Sequence, residues 1–398
     1  MTKTLSKIEK LITELCPNGV EFNELGELGE FYGGLSGKSK DDFSNGNAKF
    51  VTYMNIFSNI AVNTDINTFV KIGNEENQNK IEYGDVLFTG SSETPNECGM
   101  SSVLTKKTDE SLYLNSFCFG FRMHNKTLFL PEFLKYLFRD EQMRKQIAKT
   151  ASGVTRFNVS KKRFAKMLIP LPPLAVQEEI IKVLNNFTEL EAELEAELEA
   201  RKKQHGCYQD ELFKFNDEVS WTTLNKVAEI GTGGSNTNEG LEEGLYPFFV
   251  RSQVVRYKNS YEFDETAIIT SGDGVGVGKI FHFVEGKYAL HQRAYRFHII
   301  DNRLNPKFLF FYIKNTFGKY ILGSVVHSSV TSIRRPMLEK YPVPIPSPEE
   351  QERIVKVLDK FDALVNDISI GLPAELSARR QQYEYYRGKL LTFNEYAK

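Results

Sequence analysis

Ile169-Pro170-Leu171-Pro172-Pro173-Leu174-Ala175-Val176-Gln177-Glu178-Glu179-Ile180-Ile181-Lys182-Val183-Leu184-Asn185-Asn186-Phe187 returns, altered but recognisable, later in the chain. The second copy reads Val343-Pro344-Ile345-Pro346-Ser347-Pro348-Glu349-Glu350-Gln351-Glu352-Arg353-Ile354-Val355-Lys356-Val357-Leu358-Asp359-Lys360-Phe361, an offset of 174 residues. Two prolines, the Gln-Glu pair, the apolar positions, the lysine and the phenylalanine all coincide. The match then resumes at an offset of 178: Arg201-Lys202-Lys203-Gln204 answers Arg379-Arg380-Gln381-Gln382, and Leu212-Phe213-Lys214-Phe215-Asn216 answers Leu390-Leu391-Thr392-Phe393-Asn394. The second copy therefore carries four extra residues, about one helical turn. Looser echoes precede each core: Val20–Leu25 with Val219–Leu224, Leu130–Leu134 with Asn305–Leu309, and Gly153-Val154-Thr155 with Ser329-Val330-Thr331. A period this long marks a tandem duplication in which each half is a variable globular part followed by a shared helix.

The shared segments read as helices. Proline is tolerated at the first helical position, and Ser347-Pro348-Glu349-Glu350 has the Ser-x-x-Glu form of a capping box. Ile180, Val183, Leu184, Phe187, Leu190, Leu194 and Leu198 form one apolar stripe; Ile354, Val357, Leu358, Phe361, Leu364, Val365 and Ile368 form another. Two such helices are expected to pack antiparallel as a coiled-coil-like spacer, the alternative being that each is a core helix of its own domain. The first runs on through Glu189–Ala200, a four-residue repeat of strong helix formers. From Leu174 to about His205 it would span on the order of 48 Å, or roughly 14 base pairs of B-DNA. Gly206 is expected to weaken its end, and Gly371-Leu372-Pro373 to interrupt the second helix. In the globular parts, Asp85–Thr89 and Ala267–Thr270 read as strands, and Leu130–Lys149 and Pro306–Leu322 as one helix each.

With 398 residues, several domains are expected. No run of about 18 apolar residues is present to span a membrane, and the first residues lead into charge rather than a signal core. Cys16, Cys98, Cys118 and Cys207 are too dispersed for a zinc site or a disulfide framework, which fits a reducing cytoplasm. Net charge is −2, yet Glu189, Glu191, Glu193, Glu195, Glu197 and Glu199 crowd one stretch; without these six the remainder stands at +4. Overall charge thus decides nothing about nucleic acid, and local patches matter.

Two glycine-rich segments imitate cofactor sites. Gly33-Gly34-Leu35-Ser36-Gly37-Lys38-Ser39 has a P-loop's ending, but Tyr32 stands where its first glycine must be. Gly272-Asp273-Gly274-Val275-Gly276-Val277-Gly278-Lys279 lacks the dinucleotide spacing and is followed by a strand-like run, so a tight turn is expected, with Thr270, Ser271 and Lys279 placed to touch phosphates. The six histidines show no metal spacing, and no catalytic cluster stands out. Basic residues with polar or aromatic neighbours are the better candidates for DNA contact: Lys38, Lys40, Arg156, Lys161, Lys162 and Arg163 in the first half, and Arg251, Arg256, Lys258, Lys279, Arg293, Arg296, Arg334 and Arg335 in the second. Arginine's fork suits guanine, and lysine suits phosphate. Arg293 and Arg296, three apart in an expected strand, should face opposite ways.

The alternation of variable part and shared helix, with Ile-Pro-x-Pro-x-x-x-x-Gln-Glu and the run Gln381–Arg387, resembles the specificity subunits of type I restriction–modification enzymes. Leu15–Phe22 and Leu358–Leu364 are similar to the family's sequences as well, and the four-residue repeats resemble the IC class. The resemblance implies an α+β fold: two α/β target-recognition domains, 1–168 and 217–342, separated by a pair of long antiparallel helices, the central 169–216 and the C-terminal 343–398. It implies double-stranded DNA read in two halves, with two modification subunits and the restriction subunits as partners and no membrane. The chain itself would be no enzyme and hold no cofactor or metal; S-adenosylmethionine, ATP and Mg would sit on the partners. Gln177, Phe187, Gln351, Phe361 and Tyr383 mark the helices expected to dock them, although His205-Gly206-Cys207 departs from the matching Tyr383-Glu384-Tyr385. The rival readings are a stand-alone DNA methyltransferase or nuclease, and a coiled-coil scaffold without a nucleic-acid role.

Overall fold

The computed structural model describes residues 2–216, 218–274, 276–323, 332–366 and 369–396. Its contacts divide the chain into two compact units, Met1–Glu193 with Leu376–Lys398, and Leu194–Glu375. Ile368 and Ser329-Val330-Thr331 of the sequence comparison lie outside the described residues, as does Val275 of the second glycine segment.

The first unit is closed at its base by Glu21–Glu24 pairing antiparallel with Leu168–Leu171, Glu21 opposite Leu171. Above it, a four-stranded sheet runs in the order Gly29–Gly33, Cys118–Met123, Val86–Thr89, Ser101–Val103. Its inner face carries Phe88, Phe119 and Phe121; Phe88 and Phe119 meet Phe164 edge-on at 4.9 and 5.6 Å, and Phe88 meets Phe138 at 5.2 Å, and each such ring pair adds about 0.5–1.5 kcal/mol beyond area burial. A second four-stranded sheet holds Ala48–Val51 and Leu112–Leu114, paired in parallel. The single helix expected over Leu130–Lys149 is two helices, Pro131–Leu137 and Glu141–Thr150. Asp140 starts the second by accepting from the Gln142 amide, and Arg139 turns inward to the carbonyls of Ser101, Ile56, Phe57 and Asn59. An N-terminal helix, Thr2–Leu15, buries Ile8 in the same core. The end of the chain returns to this unit: Val20 donates to the Asn394 carbonyl at 2.8 Å and accepts from the Tyr396 amide at 2.9 Å.

The second unit has the same base, Ser220–Thr223 against Pro342–Ile345, under a single six-stranded sheet. Its six strands run Ala228–Thr232, Ala294–Ile299, Phe263–Ser271, Phe281–Leu290, Tyr246–Phe249, Arg256–Lys258. The strands read from Asp85–Thr89 and Ala267–Thr270 are present in their sheets, and Pro306–Gly323 is one helix. Its Phe308, Tyr312 and Phe317 pack into the core beneath the sheet.

The central helix is continuous over Leu174–Leu212, 39 residues, or about 58 Å. It passes through Gly206 instead of fraying there. Glycine costs roughly 1 kcal/mol against alanine, a loss offset by Tyr208 on Phe361 at 5.4 Å and Phe213 on Tyr312 at 5.5 Å. The C-terminal copy is broken into two helices, Pro348–Asn366 and Leu372–Leu391, on either side of Gly371. Pairing between copies takes the form of an exchange. In the first unit Phe187 packs on Tyr383 and Tyr386, at 6.1 and 5.6 Å, and Glu191 pairs with Arg380 at 2.6 Å. Positions rise on one helix as they fall on the other, so the pair is antiparallel. In the second unit Phe361 takes the place of Phe187 and stacks on His205 at 5.7 Å. Each unit thus holds the start of one copy and the end of the other, and the unit boundary falls within the central helix at Glu193. Between Phe187 and His205 no residue of that helix is buried.

Candidate nucleic-acid interface

The repeated glutamines do not face outward. Gln177, fully buried, donates to the Leu128 and Pro172 carbonyls at 3.0 and 2.8 Å and accepts from the Leu130 amide at 2.9 Å. Gln351 repeats the pattern with Arg303, Pro346 and Asn305 at 2.8, 2.9 and 2.7 Å. Both are latches that fasten the shared helix to the loop ahead of the domain helix. Phe187 is buried and Phe361 and Tyr383 half-buried, all three in the helix pairs. The neighbouring Tyr385 is exposed.

The basic candidates divide by environment. Lys38 is half-buried, its side chain covered, paired with Glu76 at 2.5 Å and donating to the Lys71 carbonyl; the lysine of the P-loop imitation closes its own loop. With the Gly73 amide and Gln78, it holds the Glu76 carboxyl down to about 2. Lys258 is likewise enclosed, bound to Glu239 and Ser235 over the Phe248 ring. Arg296 lies on the Phe263 ring at 4.6 Å, and its Nη1 donates to both Glu265 oxygens at 2.8 and 3.1 Å. Thr270 and Ser271 are buried and donate to the Ile280 and Asp273 carbonyls, so their hydroxyls are spent inside the fold. Arg163 reaches back to the Lys149 and Ala151 carbonyls. Arg335 is exposed but pairs with Glu339 one turn away. Lys40, Lys161, Lys162, Arg256, Lys279 and Arg334 are exposed, and among the described residues no ion pair engages them; Lys161 lies 5.4 Å over Phe119.

What remains gathers at one equivalent edge in each unit. In both, the strand of the central hairpin ends in a loop that pairs with the segment just ahead of the shared core. In the first unit Ser91 and Ser92 pair with Asn158 and Phe157; in the second Asp273 pairs with Ser332. The first edge is a turn at Gly153, whose φ of 148° and the nearby Arg156 carbonyl exclude a side chain there. The turn lifts Val154 into solvent and sets Arg156 over the exposed Phe117 ring at 5.9 Å, its Nε donating to Ser91. Beneath lies a cleft of about 590 Å³ with Tyr53, Met54, Phe57 and Glu97 in its wall. Guanidinium, exposed aromatic and sulfur in one cleft suit a base or sugar edge.

The second edge is built on Asp273, which accepts from Arg251 at 2.5 Å and from Arg293 at 3.1 Å. Burial alone would raise its carboxyl, but the hydrogen bonds and charges of Arg251 and Arg293 hold it below the ordinary value. Arg293 precedes the strand Ala294–Ile299 that contains Arg296, so their divergence comes from a turn rather than from strand alternation. Sequence reasoning passed over Asp273, Phe117 and Met54. Asp273 stood in view inside the glycine turn, but a carboxylate there carries no signal until the fold brings two arginines to it. Among the described residues no cluster of three or more His, Cys, Asp or Glu side chains gathers as for a metal, and no helix is long and apolar enough to cross a membrane.

Residues 17–200 and 216–378 match the family described as type I restriction modification DNA specificity domain. The chain is 33% identical over 256 residues to the EcoR124I/EcoR124II type I restriction enzyme specificity subunit of Escherichia coli; the match covers 57% of this chain and 63% of the relative, under two thirds of its length. Its fold is similar to a type I restriction–modification S subunit from M. genitalium, with TM-score 0.55, 14% identity, and 94% and 96% of the two chains covered. A chain from a structure of the type I R-M system, described for complex assembly and conformational transition, gives TM-score 0.66 at 16% identity, covering 94% and 98%.

Proposed function

Because this chain belongs to the type I restriction–modification DNA specificity family, we propose that it is the sequence-reading and non-catalytic subunit of such a complex. The observation that carries this reading is one frame built twice with different heads. Base strands, latch glutamine and exchanged helix pair recur, while the heads above them differ, with two four-stranded sheets in the first unit and one six-stranded sheet in the second. A catalyst gains nothing from two dissimilar heads on one repeated frame. A reader of a bipartite target does, since each head takes one half and the helix fixes the interval.

Each head offers its edge, Arg156 in the first and Arg251 with Arg293 in the second, to double-stranded DNA. Lys40, Lys161, Lys162, Arg256, Lys279 and Arg334 serve phosphates, where charge matters more than direction. The glutamate repeats act as a coiled-coil-like spacer over unread DNA. Two modification subunits, carrying S-adenosylmethionine and methylating adenine, dock on the helix pairs, and restriction subunits with ATP and Mg join them in the cytoplasm. Hydroxyl-radical footprinting of the chain with its modification subunit tests the reading. Two protected patches flanking an open interval are expected; absence of protection at low salt returns the chain to the scaffold reading.

A further inference from the structure

Asp273 sits between two guanidinium groups at the rim of the second unit, and this is costly for a surface that binds DNA by charge alone. Each phosphate contact draws its free energy from a cation that displaces counterions, and a carboxylate among the cations cancels part of that field. What the carboxylate supplies is direction. An exposed arginine samples many rotamers, whereas one whose fork is held on one edge by a fixed carboxylate presents its other edge at a set angle.

The ground under Asp273 is rigid. The neighbouring Gly272 amide donates to the Arg293 carbonyl at 2.9 Å, and the Gly272 carbonyl accepts from the Ile333 amide at 2.8 Å. The Arg293 amide donates to Nδ1 of the buried His291 at 2.9 Å. The backbone on both sides of the ion pair is thereby pinned, while the Arg293 side chain stays 62% exposed.

We propose that Arg293 reads the major-groove edge of a guanine in the half-site of the second unit, and that Asp273 is the positioning residue that aims it, with Arg251 completing the clamp. The inference rests on the DNA-reading function proposed above and names the base chemistry it uses. A guanine presents two acceptors, O6 and N7, to which a directed guanidinium donates two parallel hydrogen bonds. Lysine in its place keeps the charge and loses the fork.

The test selects bound sequences from a pool of random DNA duplexes with the full chain in complex with its modification subunit, comparing wild type, Arg293→Lys and Asp273→Asn. Arg293→Lys is expected to lower the preference for guanine at one base pair of one half-site by about tenfold or more, leaving the other half-site and the salt dependence of binding unchanged. Asp273→Asn should weaken preference at that same pair while affinity for unrelated duplex holds or rises, which loss of stability would not produce. Thermal melting checks that Asp273→Asn folds; the exposed Arg293→Lys carries the test if it does not. An unchanged preference with Arg293→Lys overturns the proposal. So does uniform weakening over all sequences with a salt slope shallower by about 1, the mark of a phosphate contact. Should the wild-type complex select no sequence at all, it is the DNA-reading function itself that fails.

Discussion

Gln177 and Gln351 fill the same three-point latch in the two units, so the duplicated glutamine serves the fold itself. Removing a buried partner strands the others at about 1–3 kcal/mol each. Gln177→Ala should therefore lower stability by at least about 2 kcal/mol, read as a fall in denaturant midpoint, and Gln351→Ala should do the same. A change within the roughly 0.5 kcal/mol of surface substitutions would mean that the latch is ornamental. Residue type told only part of this story. The pairing of Gln177 with Gln351 was legible from spacing, but its role was not, because a glutamine before an apolar stripe looks alike whether it faces a partner or a buried carbonyl. Three of the basic candidates were illegible for the same reason. Lys38, Lys258 and Arg296 became structural only when distant Glu76, Glu239 and Glu265 were folded against them. Acid should release the first of these. The Glu76 carboxyl, held near 2 by Lys38, contributes its pairing in full above its ordinary 4.5 and loses it as pH falls toward 2. Protection of the Gly73 amide, which donates to that carboxylate, should fall over that interval relative to its intrinsic exchange rate at each pH; protection indifferent to carboxylate protonation would contradict the pairing.

At the scale of elements, the exchanged helix pairs are alike except where His205 replaces the aromatic that Tyr383 supplies in the other unit. His205 is buried against Phe361 and its Nε2 has no partner within the described structure. Burial pushes its pKa below 6.5, with Asp362 pulling upward and Lys314 downward. The unfolded imidazole therefore binds its proton more readily, and the stability of this pair is present above 6.5 and lost as pH falls below it. His205→Tyr should abolish that loss, as seen in melting temperature against pH; the same slope in both proteins would place the titrating group elsewhere. The long helix was legible from its stripe and repeats, and its passage through Gly206 was not, since the rings that hold it there come from residues 312 and 361. Likewise Leu130–Lys149 kept a helical pattern across a break that only Arg139 and its four carbonyls explain. The proposed spacer makes its own prediction. Deleting Glu191–Leu194 removes about 6 Å of helix with about 40° of rotation. It should shorten the unread interval while both half-sites stay the same; an altered half-site sequence would separate the repeat from the interval.

Across the whole molecule, the two ends of the chain meet in the first unit, where Val20 lies between Asn394 and Tyr396 and Lys389 pairs with Glu9. The duplication announced two heads and a shared frame, but not that the second copy's tail completes the first unit. Truncation before Leu376 should consequently loosen the first unit, exposing Phe187 and Val183, while the second keeps its protection. Hydrogen exchange resolves this: increased exchange confined to residues 217–342 would reverse the assignment. The central claim is that two dissimilar heads on one repeated frame read the two halves of a split DNA target. Mapping methylated adenines in the DNA of cells that express this chain with its cognate modification subunit tests it most directly. A single motif with two specified halves around a stretch of fixed length and free sequence is the predicted result; an unbroken motif, or no new methylated motif, would contradict it.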